Sequence, residues 1–140
     1  MINIKNLKKT YYTGEIETPV LKGIDLEIQT GEFVAIMGKS GAGKSTLMYQ
    51  MSLLDIPTEG DVTIGDTDIL ALSESKRTLF RLTRLGYIFQ DYALVPELTA
   101  AENVAVPLLM QGMENDLAKN KAEQIIDSVG MAGKYNNRPN

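Results

Sequence analysis

The spacing of apolar residues changes along the first part of the chain. Apolar and polar side chains alternate through most of residues 2–7 and 20–28, which predicts two strands that each bury one face. Residues 33–37 are apolar throughout, as in a strand that is buried on both faces. The pattern therefore predicts an antiparallel sheet beside a buried parallel strand.

Helices dominate the prediction for the second half of the chain. Residues 73–85 and 115–129 have helical periodicity, and a short buried strand is predicted between them at 86–90. Thr99-Ala100-Ala101-Glu102 fits a capping box, which predicts that another helix begins there. Pro107 is expected to kink that helix or to end it.

A glycine-rich segment, Gly38 to Thr46, lies between the apolar run at 33–37 and a helical stretch at 47–54. Its sequence, GKSGAGKST, fits the phosphate-binding pattern G-x-x-x-x-G-K-[ST] in the strand–loop–helix context that the pattern needs. The alternative is a glycine turn that contains Gly-Lys-Ser by chance. The context favours nucleotide binding, although the loop alone does not say which nucleotide is bound or whether it is hydrolysed.

The residue types in this loop suit a triphosphate. Gly41 and Gly43 have no Cβ, so the backbone can approach phosphate oxygens and point its N–H groups into one concavity at the positive end of a helix dipole. Lys44 supplies a positive charge for the terminal phosphates, and the Ser45 hydroxyl suits Mg²⁺. The expected nucleotide contacts in the loop come from Gly38, Ser40, Gly41, Ala42, Gly43, Lys44, Ser45 and Thr46.

Composition narrows the class of protein. The chain has 140 residues, of which 44% are hydrophobic, so one domain with a real core is expected. A net charge of −4 argues against nucleic acid as a partner. No cysteine or histidine is present, so disulfides, thiolate metal sites and imidazole chemistry are excluded. No apolar run has the length of a membrane span or the pattern of a secretory signal, which favours a cytoplasmic protein.

Three other features each allow two interpretations. Tyr11 either stacks on an adenine ring or packs against the hairpin, and its position alone favours packing. The helix at 73–85 has a basic face that either docks an acidic partner or is solvated; its residues are Lys76, Arg77, Arg81 and Arg84. A group of carboxylates either binds a metal ion or is solvated; it comprises Asp55, Glu59, Asp61, Asp66 and Asp68. For both charged groups, solvation is the simpler hypothesis.

Four segments together resemble the N-terminal part of an ATP-binding-cassette ATPase subunit, in the group that serves lipoprotein-release, macrolide-export and antimicrobial-peptide exporters. They are residues 4–11, 26–38, 57–60, and 88–92 with Leu94, Pro96, Leu98, Thr99, Glu102 and Asn103. The last segment is the most specific, because it separates this family from other phosphate-loop proteins. The resemblance implies an α/β fold: a partial phosphate-loop NTPase core with an antiparallel β subdomain at 1–90, and the start of a helical subdomain at 91–140.

The resemblance also implies roles for single residues. Tyr11 matches the aromatic residue that stacks on adenine, and Gln90 matches the glutamine that reaches the magnesium ion and the attacking water. Lys44 and Gln90 are therefore the catalytic candidates, and Ser45 and Gln90 the magnesium ligands, with ATP and Mg²⁺ as cofactors. Lys39 stands where the family often has proline or serine, a difference that the loop should tolerate.

The expected partners also follow from the resemblance. Residues 91–98 match the surface on which a membrane permease rests its coupling helix, and two full-length ATPase subunits form a homodimer around ATP. The protein would then lie on the cytoplasmic face of the membrane, attached through the permease. Nothing here matches the family's signature sequence, its strand with magnesium and catalytic carboxylates, or its switch histidine. We therefore expect little or no hydrolysis by this chain alone.

These gaps lead to an expectation about the chain itself and leave rival functions open. We expect residues 1–140 to be a piece of a longer protein with an unpaired strand edge, which a monodisperse monomer with a cooperative melt would contradict. The rivals are a non-hydrolysing nucleotide-binding or regulatory module, another phosphate-loop enzyme such as a small kinase, and a structural interaction domain. A kinase usually places its first strand directly before the phosphate loop, unlike this chain.

Overall fold

The computed structural model describes residues 1–139, which form two compact units that divide between Arg81 and Leu82. The first unit is built on a four-stranded antiparallel sheet with the strand order β2-β1-β3-β4. Its strands are β1 (Ile2–Thr13), β2 (Ile16–Ile28), β3 (Glu59–Ile64) and β4 (Thr67–Asp68). Helix α1 (Lys44–Met51) follows the glycine-rich segment, and α2 (Glu74–Arg84) crosses the division between the units.

The predicted antiparallel hairpin is confirmed. β1 and β2 pair along their length, from Ile2 opposite Ile28 to Thr13 opposite Ile16. The inward-facing side chains of this sheet pack against one side of α1 and form the core of the first unit. The buried members of the core are Ile4, Leu7, Leu21, Leu47, Met51, Leu53, Val62 and Ile69. Burial of these side chains is the main force that holds α1 against the sheet.

A bulge interrupts the alternation of β1. The buried residues Ile4 and Leu7 are three positions apart because the register of pairing shifts between them. Asn6 lies at the bulge with a φ of 47°, and its N–H donates to Asp25 Oδ1 at 2.8 Å. Gly60 of β3 packs against this bulge and has a φ of 97°. A Cβ built on Gly60 would lie 2.5 Å from the Asn6 carbonyl oxygen. The close contact between β1 and β3 at this bulge therefore requires glycine at position 60.

The predicted buried strands at 33–37 and 86–90 are wrong. Neither segment pairs with a strand in the part of the chain that the structure describes. Phe33 is 98% exposed and Ile88 is 99% exposed. The backbone of a strand is held by hydrogen bonds to a neighbour, so an apolar run that meets no neighbour within residues 1–139 forms no ladder.

The solvation hypothesis for the basic face of α2 is wrong for two of its four residues. Arg77 donates through Nη2 to the Leu70 carbonyl at 2.7 Å, and its side chain is only 17% exposed. Arg81 donates through Nη1 to the Leu53 carbonyl at 3.1 Å. These bonds fasten α2 to the segments that follow α1 and β4.

The second unit contains α3 (Ala100–Met110) and α4 (Asn115–Ser128). The predicted capping box is confirmed, since Glu102 N–H donates to Thr99 Oγ1 and Thr99 N–H donates to Glu102 Oε2. α3 continues past Pro107 to Met110. The helix predicted at 115–129 is confirmed as α4, which buries Ala118, Ala122 and Ile126, whereas Ile125 and the following Val129 are exposed. None of the helices within residues 1–139 has the length and apolar character that a bilayer crossing requires.

Candidate nucleotide-binding site

The glycine-rich segment leads into the N-terminus of α1, which no side chain in the described part of the chain caps. Gly43 is the N-cap residue, and the first helical hydrogen bond runs from Leu47 N–H to the Gly43 carbonyl at 2.8 Å. The N–H groups of Lys44, Ser45 and Thr46 therefore have no acceptor inside the helix. Uncapped amides at the positive end of a helix form a site that suits an anion.

Gly43 packs closely against β2. Its φ is 88°, a left-handed conformation, and a Cβ built there would lie 3.1 Å from the side chains of both Val20 and Leu21. The steric limit and the backbone conformation both favour glycine at this position. The loop is thus fixed against the sheet at the point where α1 begins.

Lys44 folds back over the loop. Its Nζ donates to the Gly38 carbonyl at 2.9 Å and to the Lys39 carbonyl at 2.8 Å. Phosphate oxygens are charged acceptors and bind an ammonium group more strongly than neutral carbonyls do. The ammonium group therefore already lies at the loop and can exchange these carbonyls for a phosphate.

The remaining predicted loop residues lie along the same segment. Gly38, Ser40, Gly41, Ala42 and Ser45 are exposed, and Thr46 is partly buried. Ala42 N–H donates to the Lys39 carbonyl at 3.2 Å, which closes a tight turn inside the loop. The structure therefore places every predicted loop residue on one accessible strip before and at the start of α1. Their contacts to a nucleotide, and the Ser45 contact to Mg²⁺, stay predictions.

Tyr11 lies on β1 with its ring partly accessible. The side chain is 39% exposed, and its hydroxyl donates to Asp55 Oδ2 at 2.9 Å. The Lys9 ammonium lies over the ring, 4.9 Å from its centre. A cation over the face of an aromatic ring attracts the ring electrostatically, which helps to fix its orientation. Tyr11 is thus held in place at one end while part of its surface stays open.

The solvation hypothesis is wrong for Asp55, whose carboxylate accepts hydrogen bonds from several protein donors. Its Oδ1 accepts from Lys9 Nζ at 2.8 Å and from Ile56 N–H at 2.7 Å. Its Oδ2 accepts from Tyr11 and also from Gln50 Nε2 at 3.1 Å. Gln50 is fully buried, and its Oε1 accepts no hydrogen bond from any residue within 1–139. Within residues 1–139, no three acidic side chains come together as a metal-binding group.

The hydrogen bonds around Asp55 shift two pKa values in opposite directions. Burial would raise the pKa of the Asp55 carboxyl group, but the hydrogen bonds that it accepts, with that of Lys9 first, outweigh burial and hold the pKa below 3.8. Burial and then the hydrogen bond to Asp55 raise the pKa of Tyr11 above 10.0, while the Thr46 hydroxyl acts against them. The charged carboxylate and the neutral phenol are therefore the forms that the site stabilises.

Sequence reasoning missed Gln50 and the role of Asp55. Asp55 lies among turns with four other acidic residues, and nothing in its local sequence distinguishes it from them. A signal was available in Gln50, a polar residue between the apolar Leu47 and Met51 on the buried side of α1. A buried amide needs a partner, so its presence in the core points to a polar group nearby.

Gln90 belongs to the second unit, where its side chain is exposed. In that unit, Asn103 fastens the loop that follows Gln90. Its Oδ1 accepts from Val95 N–H at 2.8 Å, and its Nδ2 donates to the carbonyls of Val95, Leu98 and Thr99 at 3.1, 3.1 and 3.0 Å. The catalytic and magnesium-binding roles of Gln90 stay predictions.

A mostly apolar cavity of about 580 Å³ also lies in the second unit. Its lining includes Leu94, Val104, Ile125, Ile126, Val129 and Met131. No residue of the phosphate loop contributes to it. The cavity therefore offers no place for the triphosphate, and the start of α1 carries the candidate site.

Comparison with known proteins gives a family match and several relatives. A family model described as "ABC transporter" matches residues 21–140. The lipoprotein-releasing system ATP-binding protein LolD of Xanthomonas campestris pv. campestris (strain 8004) is 43% identical over 139 residues, which cover 99% of this chain and 58% of that protein. The macrolide export ATP-binding/permease protein MacB of Bdellovibrio bacteriovorus is 41% identical over 140 residues, which cover 100% of this chain and 21% of that protein. The chain thus spans little more than half the length of LolD.

A solved structure shares the fold. The dimeric structure of a post-hydrolysis state of the ATP-binding cassette MJ0796, bound to ADP and Pi, superposes with a TM-score of 0.91 at 37% sequence identity. The match covers 99% of this chain and 62% of that chain. The α/β fold class implied by the four sequence segments is therefore confirmed.

Proposed function

This chain belongs to the ABC transporter family, and from that premise we propose that it is part of an ATP-binding subunit that couples ATP binding and hydrolysis to export through a membrane permease. The observation that carries the proposal is the uncapped N-terminus of α1 with Lys44 folded over the loop before it. Together they offer backbone donors and a positive charge at one place, as a bound triphosphate requires.

Each part of the site would hold a different part of Mg-ATP. The N–H groups at the start of α1 and the ammonium of Lys44 would bind phosphate oxygens, with Thr46 near the innermost phosphate. The Ser45 hydroxyl, which is exposed beside them, would bind Mg²⁺, an ion that takes oxygen ligands. Tyr11 would stack on adenine with the open part of its ring.

The roles of the second unit are proposed from the family. Gln90 would reach the magnesium ion and the attacking water once nucleotide is bound, and residues 91–98 would receive the permease. Asn103 fixes residues 95–99 through the hydrogen bonds described above, so that this surface keeps its shape. We propose the subdomain boundary at residue 90 on the same ground, with 1–90 as β subdomain and phosphate-loop core and 91–140 as the start of the helical subdomain.

The location and assembly of the whole protein follow from the same proposal. It would be a homodimer of ATPase subunits on the cytoplasmic face of the membrane, attached through its permease. In that assembly, positioning and charge stabilisation would dominate phosphoryl transfer, and the residues of this chain would supply the phosphate-binding part of that work.

The test is calorimetric titration of the chain with Mg-ATP. Lys44→Ala removes the ammonium that we assign to the phosphates. Lys39→Ala is the control: it removes another lysine side chain from the same loop but keeps the backbone carbonyl with which Lys39 contacts Lys44. We expect Lys44→Ala to weaken binding by at least about tenfold, since a hydrogen bond to a charged group contributes about 1.5–3 kcal/mol. We expect Lys39→Ala to bind within about twofold of the unmodified chain, because an exposed charge contributes little.

Two results would contradict the proposed site. One is equal binding by the unmodified chain and Lys44→Ala, which would place the nucleotide elsewhere. The other is equal loss in both lysine variants, which would mean that the titration reports only the net charge of the loop.

A further inference from the structure

The Asp55 carboxylate joins three parts of the first unit that are distant in sequence. Lys9 and Tyr11 reach it from β1, Gln50 reaches it from α1, and Asp55 itself lies in the connection from α1 to β3. Among the residues that the structure describes, its two oxygens accept four hydrogen bonds, including that from Ile56 N–H. A carboxylate that accepts this many bonds has little freedom to move.

Two of these bonds share one oxygen and connect the phosphate loop to Tyr11. Asp55 Oδ2 accepts from Tyr11 on one side and from Gln50 on the other. Gln50 belongs to α1, the helix whose N-terminus forms the candidate phosphate site. One path from the Tyr11 ring to that site therefore runs through Asp55 Oδ2, Gln50 and α1, in addition to the direct interaction of Tyr11 with the Thr46 hydroxyl in the first turn of α1.

A nucleotide needs such a fixed distance. Its base and its phosphates are joined covalently, so an aromatic ring can stack on the base only if it lies at the right distance from the phosphate-binding amides. Lys9 adds to the fixation, because it is held by Asp55 Oδ1 and by the Ile56 carbonyl while it lies over the Tyr11 ring. Asp55 thus controls both the hydroxyl end of Tyr11 and the cation above its face.

We propose that Asp55 is a positioning residue for base recognition, whose carboxylate holds the Tyr11 ring at a set distance from the phosphate site. This inference rests on the proposed function, in which Tyr11 stacks on adenine. Asp55 touches no part of the nucleotide and acts through Tyr11 and Lys9. Without it, the ring keeps its place on β1 but loses its fixed orientation, so the base binds more weakly while the phosphates bind as before.

A neighbouring ion pair provides the matched control. Lys8 Nζ lies 2.6 Å from Glu59 Oε2, and the Glu59 side chain is 58% exposed. This pair joins β1 to β3, but neither residue contacts Tyr11, Gln50 or Asp55 in the hydrogen bonds described. Glu59→Gln therefore makes the same change from carboxylate to amide as Asp55→Asn, close by in the chain, without disturbing the ring.

The experiment compares two ligands in each variant. Mg-ATP carries adenosine and Mg-tripolyphosphate does not, so the ratio of their dissociation constants measures recognition of the nucleoside apart from phosphate binding and apart from folding; a change in that ratio caused by a substitution at the Tyr11 ring or its contacts reports on the base. Thermal melts of each variant establish that it is folded at the temperature of titration. The variants are Asp55→Asn, Tyr11→Phe, Tyr11→Ala, the double variant of Asp55→Asn with Tyr11→Phe, and Glu59→Gln.

We expect Tyr11→Ala to weaken Mg-ATP binding by about tenfold or more, the loss that removal of a stacking ring causes. Asp55→Asn and Tyr11→Phe should each weaken it by about threefold to fivefold, since the ring remains but is less well placed. The double variant should be no weaker than Asp55→Asn alone, because both changes act on the same hydrogen bond: Asp55→Asn weakens it by removing the charge of its acceptor, and Tyr11→Phe removes its donor. Tripolyphosphate binding should stay within about twofold in all variants, and Glu59→Gln should match the unmodified chain.

The outcomes separate this inference from the function on which it rests. If Tyr11→Ala leaves the ligand ratio unchanged, the adenine contact itself is wrong, and both fall. If Tyr11→Ala lowers Mg-ATP binding but Asp55→Asn and Tyr11→Phe do not change the ratio, only the positioning role is overturned. A loss in Asp55→Asn that is equal for both ligands also overturns it, because Asp55 would then support the fold alone. If Asp55→Asn does not fold, Tyr11→Phe breaks the same bond and decides the question.

Discussion

The charged form of Asp55 is favoured by folding, and this has a consequence for stability at acid pH. The pKa of its carboxyl group is lowered below 3.8 in the folded state, so folding favours the ionised group over the protonated one. The contribution to stability is present above the unfolded pKa of 3.8 and is lost as the pH falls through the lower, folded-state pKa.

The measurement is the free energy of unfolding in urea at a series of pH values from about 6 to about 2. The unmodified chain should lose stability toward acid pH more steeply than Asp55→Asn, whose amide does not titrate. Equal slopes for the two proteins would mean that the hydrogen bonds around Asp55 do not favour its ionised form.

How far the sequence predicts the site differs from residue to residue. Gly43, Lys44 and Ser45 could be assigned because the motif, the apolar run before it and the helix after it are contiguous. Tyr11 could not be assigned from its position, and its proposed role comes from resemblance to a family. Asp55 could not be found, because its partner Tyr11 lies 44 residues away and no local pattern links them.

At the scale of secondary structure, Gly60 marks the closest contact between two strands. A Cβ there would lie 2.5 Å from the Asn6 carbonyl oxygen and 2.7 Å from Leu7 Cα, and the φ of 97° is itself unfavourable for other residues. We expect Gly60→Ala to lower the free energy of unfolding by about 2–5 kcal/mol, from overpacking and backbone strain together.

Gly65 is the matched control for this substitution. It has a positive φ of 60°, but no atom of the other described residues lies within 4 Å of a Cβ built there. Gly65→Ala should therefore cost only about 1–2 kcal/mol, the cost of the left-handed conformation alone. Urea unfolding of the two variants measures both losses of stability. Equal losses in Gly60→Ala and Gly65→Ala would contradict the steric origin of the larger effect.

Elements with local signals were predicted well, and elements that depend on a distant partner were not. Helix α3 begins where its capping box predicts, because Thr99 and Glu102 satisfy backbone groups within one turn. The hairpin of β1 and β2 follows from two alternating segments that are close in sequence. The apolar runs at 33–37 and 86–90 have strand-like composition, but a strand also needs a neighbour, which composition does not supply.

At the scale of the whole molecule, the chain presents apolar side chains that a monomer usually covers. Phe33 and Met37 are 98% and 88% exposed, and in the second unit Ile88 is 99% exposed. Exposed apolar segments whose backbone is not paired in a sheet tend to associate with another chain. We expect the isolated chain to associate as its concentration rises, and sedimentation velocity at several concentrations measures this.

Variants identify the surfaces involved. Phe33→Ser and Ile88→Ser each remove one exposed apolar side chain without touching the core, so each should reduce association while the thermal melt is preserved. A monodisperse monomer at all concentrations, with a single cooperative melt, would show that these segments do not drive association.

The arrangement around Asp55 also has a consequence for the order in which the molecule folds. The loop contacts of Lys44 span five or six residues, whereas the bonds from Asp55 to Tyr11 and Lys9 close stretches of 44 and 46 residues. Closing a longer stretch costs more chain entropy and slows its formation. Refolding chains should therefore form the phosphate loop early and fix the Tyr11 ring late, so that the ability to bind phosphate returns before the ability to recognise a base.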